Sequence, residues 1–276
     1  MLHPQCSMLN VQYIDTHAHL YEDDYIQDID HVIARAREAG AVKILVPPTD
    51  VASTLKAVEL CRRFPDICYP MIGLHPEDVH DNYTPYLVQL EQMLTESLDS
   101  HRFVAIGEVG LDYYWDKSHK DEQKDAFRTQ IEWAVKYQLP LMIHSRNAGS
   151  DLLECLSPWR DQLTKGGVFH CFSGSIETAR ELLDFGPHFY IGIGGVLTFK
   201  KSKLPETVMH IPLERIVLET DSPYMAPTPM RGKRNEPTYI PYIINTLAEA
   251  KGITAEQVAE ITTQNALNLF FSQKSI

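Results

Sequence analysis

Long apolar runs are the first thing this sequence lacks. No stretch approaches the roughly 18 consecutive apolar residues of a spanning helix, which excludes a membrane protein of that kind. Residues 1–8 have neither a basic start nor an apolar middle, so they do not read as a secretory signal, and Met8 is an alternative start. The expectation is a cytoplasmic protein with no membrane partner and no obligate protein partner. Cysteine is scarce: Cys6, Cys61, Cys68, Cys155 and Cys171 are scattered and form no C-x-x-C pair, against a disulfide framework or a thiolate zinc knot. Positive charge is short as well, with 25 Lys+Arg against 37 Asp+Glu and a net charge of -12. Such a chain neutralises phosphates poorly, so any contact with nucleic acid must come from a local patch or from bound cations. There is no tandem repeat, no low-complexity linker and no glycine-rich phosphate turn after the first apolar run.

What the sequence does contain is a regular alternation of short apolar runs and amphipathic stretches. Strands are expected at 11–16, 42–46, 68–73, 104–107, 141–144, 167–169, 189–193 and 216–218. Helices are expected at 26–39, 51–63, 85–98, 121–137, 150–163, 175–185, 204–210, 239–251 and 255–271. In the first, Ile26, Ile29, Ile33 and Ala36 are spaced for one face, and Gly40 supplies the stop. Eight strand–helix units in 276 residues predict an α/β protein, a single-domain (β/α)8 barrel whose eight parallel strands close on themselves. A doubly wound open sheet is the runner-up. The expected division is a leader (1–10), the barrel (11–271) and a tail (272–276).

In such a barrel, side chains at the C-terminal ends of the strands converge on one mouth. Histidines and carboxylates fall there: Asp15, His17 and His19 after the first strand, His75 after the third, Glu108 and Asp112 along the fourth. His144 and Arg146 end the fifth, His170 the sixth, and Glu219 and Asp221 the eighth. One strand-end histidine is more often a hydrogen-bonded capping residue than a ligand. Six such placements together favour a site for a borderline divalent cation such as zinc, manganese or iron.

Five motifs carry a family resemblance. Asp15-Thr-His-Ala-His19, Gly107-Glu-Val-Gly-Leu-Asp112, Leu141-Met-Ile-His-Ser145, His170-Cys-Phe-Ser-Gly174 and Glu219-Thr-Asp-Ser-Pro-Tyr224 resemble the TatD family of metal-dependent deoxyribonucleases, as does the segment from Ala226 to Pro237. The resemblance covers about Tyr13 to Phe270. It implies an amidohydrolase-like TIM barrel with two divalent cations, of which magnesium, manganese and zinc are the candidates. It implies that His17, His19 and Asp221 hold the first metal, that His144 and His170 hold the second, and that Glu108 bridges them. It also implies 3′-to-5′ exonuclease activity on single-stranded DNA, with RNA a further substrate.

Two cations lower the pKa of a ligated water from 15.7 to about 7 and clamp the phosphate. Asp221 is the candidate proton acceptor, while Glu108 offers two oxygens to the pair. Glu219 and Asp15 are candidate outer acceptors that orient ligating imidazoles. The loop 230–235 concentrates Arg231, Lys233 and Arg234 and is expected to contact substrate phosphate, as is His75. Tyr113, Tyr114 and Trp115 are candidates either for base stacking or for packing. The competing reading is an amidohydrolase or deacylase acting on a small molecule or aminoacyl-tRNA, against which the basic loop argues; a non-catalytic metal-binding protein is a third.

Overall fold

The computed structural model describes residues 11–96, 103–114 and 117–272. Its strands are β1 (Tyr13–Asp15), β2 (Ala41–Val46), β3 (Cys68–Pro70), β4 (Ile106–Asp112), β5 (Leu141–Arg146), β6 (Gly167–Phe169), β7 (Phe189–Ile193) and β8 (Ile216–Leu218). Between and after them run α1 (Ile29–Glu38), α2 (Val51–Arg63), α3 (Thr84–Glu96), α4 (Lys120–Tyr137), α5 (Gly149–Leu156), α6 (Ile176–Leu183), α7 (Leu204–Val208), α8 (Ile240–Lys251) and α9 (Ala255–Phe270). The expected leader, the tail beyond residue 272, Cys6 and Trp115 lie outside the described residues.

Parallel pairing joins β1 to β3 and β4 to β8 in sequence order. Hydrogen bonds close both gaps. Gly107 N–H donates to Ile72 O at 2.8 Å and Val104 N–H to Pro70 O at 3.0 Å, while Thr16 N–H donates to Leu218 O at 3.0 Å and Asp221 N–H to His17 O at 2.9 Å. The result is the TIM barrel, closed so that no strand edge is left exposed.

Strand composition explains the layering. Successive side chains on a strand point to opposite faces. Ile14, Leu45, Met71, Met142, Val168, Tyr190 and Val217 point into the barrel and pack with Ala266, Leu269 and Phe270 of α9. Thr263 of α9 bonds the carbonyl of Gln12, just ahead of β1, so this helix covers the N-terminal end. A larger apolar cluster fills the space between strands and surrounding helices. Two residues further along the strands, Met142 gives way to His144, Val168 to His170, Tyr190 to Gly192 and Val217 to Glu219. The same inward face is therefore apolar at one level and polar at the next, which places the site.

Helix ends follow local chemistry. Asp50 and Ser53 form a reciprocal capping box at the start of α2, and Thr254 with Gln257 does the same for α9. The first helix departs from expectation. It begins at Ile29, and Ile26 lies ahead of it, 63% exposed, while Val32 is fully buried. A 3-10 helix at Asp23–Tyr25 and a turn at 26–28 take the place of the expected first helical turn.

Candidate metal centre

Alternation along β4, β5, β6 and β8, together with the turn after β1, brings His17, His19, Glu108, His144, His170 and Asp221 to one place in the mouth. Glu108 lies at the middle. Its Oε2 is 3.2 Å from His17 Nε2 and 3.6 Å from His19 Nε2. Its Oε1 is 2.7 Å from His170 Nε2, 2.9 Å from His144 Nδ1 and 3.4 Å from His75 Nε2. The two carboxylate oxygens thus face two separate groups of imidazoles. In the first, His17 Nε2 and His19 Nε2 are 3.1 Å apart, with Asp221 Oδ1 3.8 and 3.5 Å from them. In the second, His144 Nδ1 and His170 Nε2 are 3.3 Å apart.

Partners outside this group decide which nitrogens present a lone pair. His19 Nδ1 lies 3.0 Å from the carbonyl of Pro47, which only accepts, so Nδ1 carries the proton and Nε2 faces the centre with its lone pair. His144 Nε2 lies 2.9 Å from Asp112 Oδ2, which leaves Nδ1 as the inward ligand atom. His75 is the reverse. Its Nδ1 accepts from Glu77 N–H at 3.1 Å, so in the neutral ring Nε2 is an N–H donor. The Nδ1 atoms of His17 and His170, whose rings stack 4.1 Å apart, and Oε2 of Glu219 are buried with no hydrogen-bond partner.

Burial and charge shape the titration. Burial is the largest influence on His170, but Glu108 outweighs it and pushes the imidazole up to about 10. His17 is pulled down to about 4 by burial and by the neighbouring His170. Burial pushes Glu219 up to about 8 and Asp15 up to about 7. Glu108 is held well below the carboxylate range, because the surrounding imidazoles, His170 first, outweigh its burial.

This donor set fits divalent cations. Imidazole nitrogens facing each other at about 3 Å, with carboxylate oxygens beside each pair, need positive charge between them. Without a metal that charge would have to come from protons, and Glu108 favours one on His170. Groups of ligand atoms lying within 4.8 Å of one another include His17, His19 and Asp221, and His75, Glu108 and His144. Asp221 holds a left-handed backbone at φ +56°, uncommon outside glycine, which turns its carboxylate into the mouth.

Several expected residues sit elsewhere. Asp15 does not orient an imidazole: its carboxylate accepts from His17 N–H at 3.2 Å and from Thr220 N–H and Oγ1 at 3.0 and 2.6 Å, pinning β1 to the end of β8. Glu219 accepts from Cys171 N–H, and its Oε1 is 3.8 Å from His170 Nδ1, beyond hydrogen-bond distance. Gly192 makes room for it, since a Cβ there would stand 2.3 Å from Glu219 Oε2. Arg234 is not a free phosphate donor. Its fork is taken by Asp28, at 2.8 Å to each oxygen, and by Glu236 at 2.9 Å, so it staples the loop to the start of α1. Arg231 and Lys233 are exposed, Arg231 lying 3.9 Å over the Phe199 ring. Tyr113 is buried and bonds Asp151, which makes it a packing residue; Tyr114 is 49% exposed beneath Arg146.

The sequence reading gave Asp112 no role, though the signal existed. It follows Glu108 by four residues on one strand, an even spacing. Tyr21, within 3.1 Å of His19 Nδ1, gave no comparable signal.

The barrel and its histidine–carboxylate mouth define a metal-dependent hydrolase of the TIM-barrel type. A family model described as TatD related DNase matches residues 14–271, and the chain belongs to this family. It is 42% identical over 257 residues to an uncharacterized metal-dependent hydrolase, YabD, of Bacillus subtilis, covering 93% of this chain and 98% of that one. It is 34% identical over 262 residues to the 3′-5′ ssDNA/RNA exonuclease TatD of Salmonella typhimurium, covering 93% and 98%. The crystal structure of YJJV, a TatD homolog from Escherichia coli, superposes with a TM-score of 0.87 at 30% identity, covering 95% of this chain and 98% of that one. No helix among the described residues is long and apolar enough to cross a membrane.

Proposed function

We propose that the protein removes nucleotides from the 3′ end of single-stranded DNA, with RNA as a second substrate, using two divalent cations. The observation that carries the reading is Glu108, whose two oxygens each face their own group of imidazoles at 2.7–3.6 Å. His17, His19 and Asp221 would hold one cation, His144 and His170 the other, with Glu108 shared. Bound there, such cations supply Lewis acidity, lowering the pKa of a ligated water and neutralising charge on a phosphoryl oxygen. The nitrogen-rich set suits zinc or manganese better than magnesium.

The protein's own groups then have distinct tasks. Asp221, with a side chain 16% exposed, opens toward the mouth and takes the proton of the attacking water. His75, with Nε2–H directed inward, donates to a phosphate oxygen. Asp112 accepts from His144 and keeps the other ring nitrogen available as a ligand atom. Arg231 and Lys233 supply positive charge to substrate phosphate. Support for a nucleic-acid substrate comes from this basic loop and from the Salmonella relative described as an exonuclease.

The test is a time course on a single strand labelled at its 5′ end, with manganese, zinc or magnesium and with chelator. A ladder shortening from the 3′ end, lost with chelator, is expected. Hydrolysis of amides or small esters with no shortening of the strand would overturn the reading.

A further inference from the structure

The charge of the mouth is unevenly divided. The turn after β1 carries Glu22, Asp23 and Asp24 in succession. The loops after β7 and β8 instead carry Lys200, Lys201, Lys203, Arg231 and Lys233, all exposed. Among the described residues, none of these five forms an ion pair, whereas Arg35, Arg37, Lys56, Arg63 and Arg234 do. In a chain of net charge -12, an unneutralised cluster of five stands out.

The two loops form one ledge. Thr228 N–H donates to Thr198 Oγ1 at 2.7 Å, and Gly195 lets the backbones touch, since a Cβ there would meet Met225 O at 2.0 Å. The Arg231 guanidinium sits 3.9 Å over the ring of Phe199, the residue before Lys200, a contact that lowers the entropy it loses on binding a phosphate. At the inner end stands Tyr224, 55% exposed, its ring 6.2 Å from that of His19. An exposed aromatic beside the donor cluster, followed by a track of free cations, is the combination that holds single strands: bases stack and phosphates pair.

We propose that this β7–β8 ledge is the track for the body of the substrate strand, with Tyr224 stacking a base next to the cleaved bond and Lys200, Lys201 and Lys203 meeting the following phosphates. The inference rests on the nuclease reading and gives the strand a direction: out over β7 and β8, away from the acidic turn after β1.

Binding tests it separately from cleavage. The metal-loaded protein is titrated by fluorescence anisotropy against a labelled 12-nucleotide single strand with nuclease-resistant phosphorothioate linkages, from 50 to 300 mM salt. Each phosphate neutralised on a single strand contributes about 0.7 to the slope of log K against log salt. The triple variant Lys200→Ala, Lys201→Ala, Lys203→Ala should therefore lower that slope by about 2. Tyr224→Ala should weaken binding about 5-fold or more, and Tyr224→Phe should restore it. An unchanged slope and Kd in the triple variant would overturn the ledge, as would failure of the wild type to bind the strand at low salt. If the wild type binds with the expected slope but shortens no cleavable strand, the ledge stands and the nuclease reading falls.

Discussion

Asp112 offers a sharp test of how the site is held. Its Oδ2 is 2.9 Å from His144 Nε2, its Oδ1 accepts from Tyr114 N–H at 2.8 Å, and the residue is 2% exposed. In Asp112→Ala the His144 Nε2–H loses its acceptor, so the ring is free to exchange tautomer and to rotate. Part of the neutral population would then direct an N–H where a lone pair is needed, since Glu108 Oε1 still accepts at Nδ1. Losing an outer acceptor of this kind typically costs 10- to 100-fold in metal affinity, or about 1.4–2.7 kcal/mol. Asp112→Asn should fall between, because one amide oxygen cannot serve both His144 and Tyr114. Competition with a chelating dye, using zinc or manganese, measures the affinity directly. Activity should fall in parallel at limiting metal and recover at saturating metal. If Asp112→Ala binds metal within twofold of the wild-type affinity, the carboxylate does not set the imidazole and the argument fails.

Metal should also change the pH response. Folding raises Glu219 from 4.5 to about 8 and His170 from 6.5 to about 10. Both folded forms hold protons that the unfolded chain gives up, so these groups stabilise at low pH and lose that contribution as pH climbs through the folded values. A cation held by His170 would displace its proton, and that positive charge would favour ionised Glu219 nearby, so the Tm gap between metal-saturated and chelator-treated protein should widen from pH 6.5 to 8.5; a constant gap in calorimetry would contradict this. Arg234→Ala should lose about 1 kcal/mol, seen as a Tm lower by about 2–4 °C, whereas Arg231→Ala should leave Tm unchanged and raise KM for the strand. Equal effects of the two on Tm would erase the distinction drawn between them. Gly192→Ala should cost about 1–3 kcal/mol in urea unfolding, because its Cβ would sit 2.3 Å from Glu219 Oε2. That cost should shrink in a Glu219→Ala background, and a full penalty there would implicate some other contact.

Much of the fold was legible because strands and helices follow local periodicity. α2, β6, β7 and β8 occupy the expected residues without change. β4 was expected to end at residue 107 and instead runs to Asp112. A Cβ at Gly110 would stand 2.0 Å from His144 O, so this glycine permits close pairing with β5 and the strand continues past the expected end. Ile26 misled for a similar reason, since spacing alone cannot tell a helical turn from an irregular one.

The site divides along the same line. Residue types at strand ends are local information, and they sufficed to gather histidines and carboxylates at one mouth, among which the family resemblance singled out His17, His19, Glu108, His144, His170 and Asp221 as one candidate centre. Asp15 and Arg234 have the same chemical character, and residue type alone does not separate them from the candidate site groups. Only the folded chain does so, by placing Thr220 against Asp15 and Asp28 with Glu236 against Arg234. The sequence by itself therefore determined the barrel and the kind of chemistry at its mouth, because both rest on short-range pattern. Tertiary structure decided which nitrogen His19 and His144 turn inward and whether Arg234 stays free, because their hydrogen-bond partners lie 28, 32 and 206 residues away and are brought up only when the ring closes.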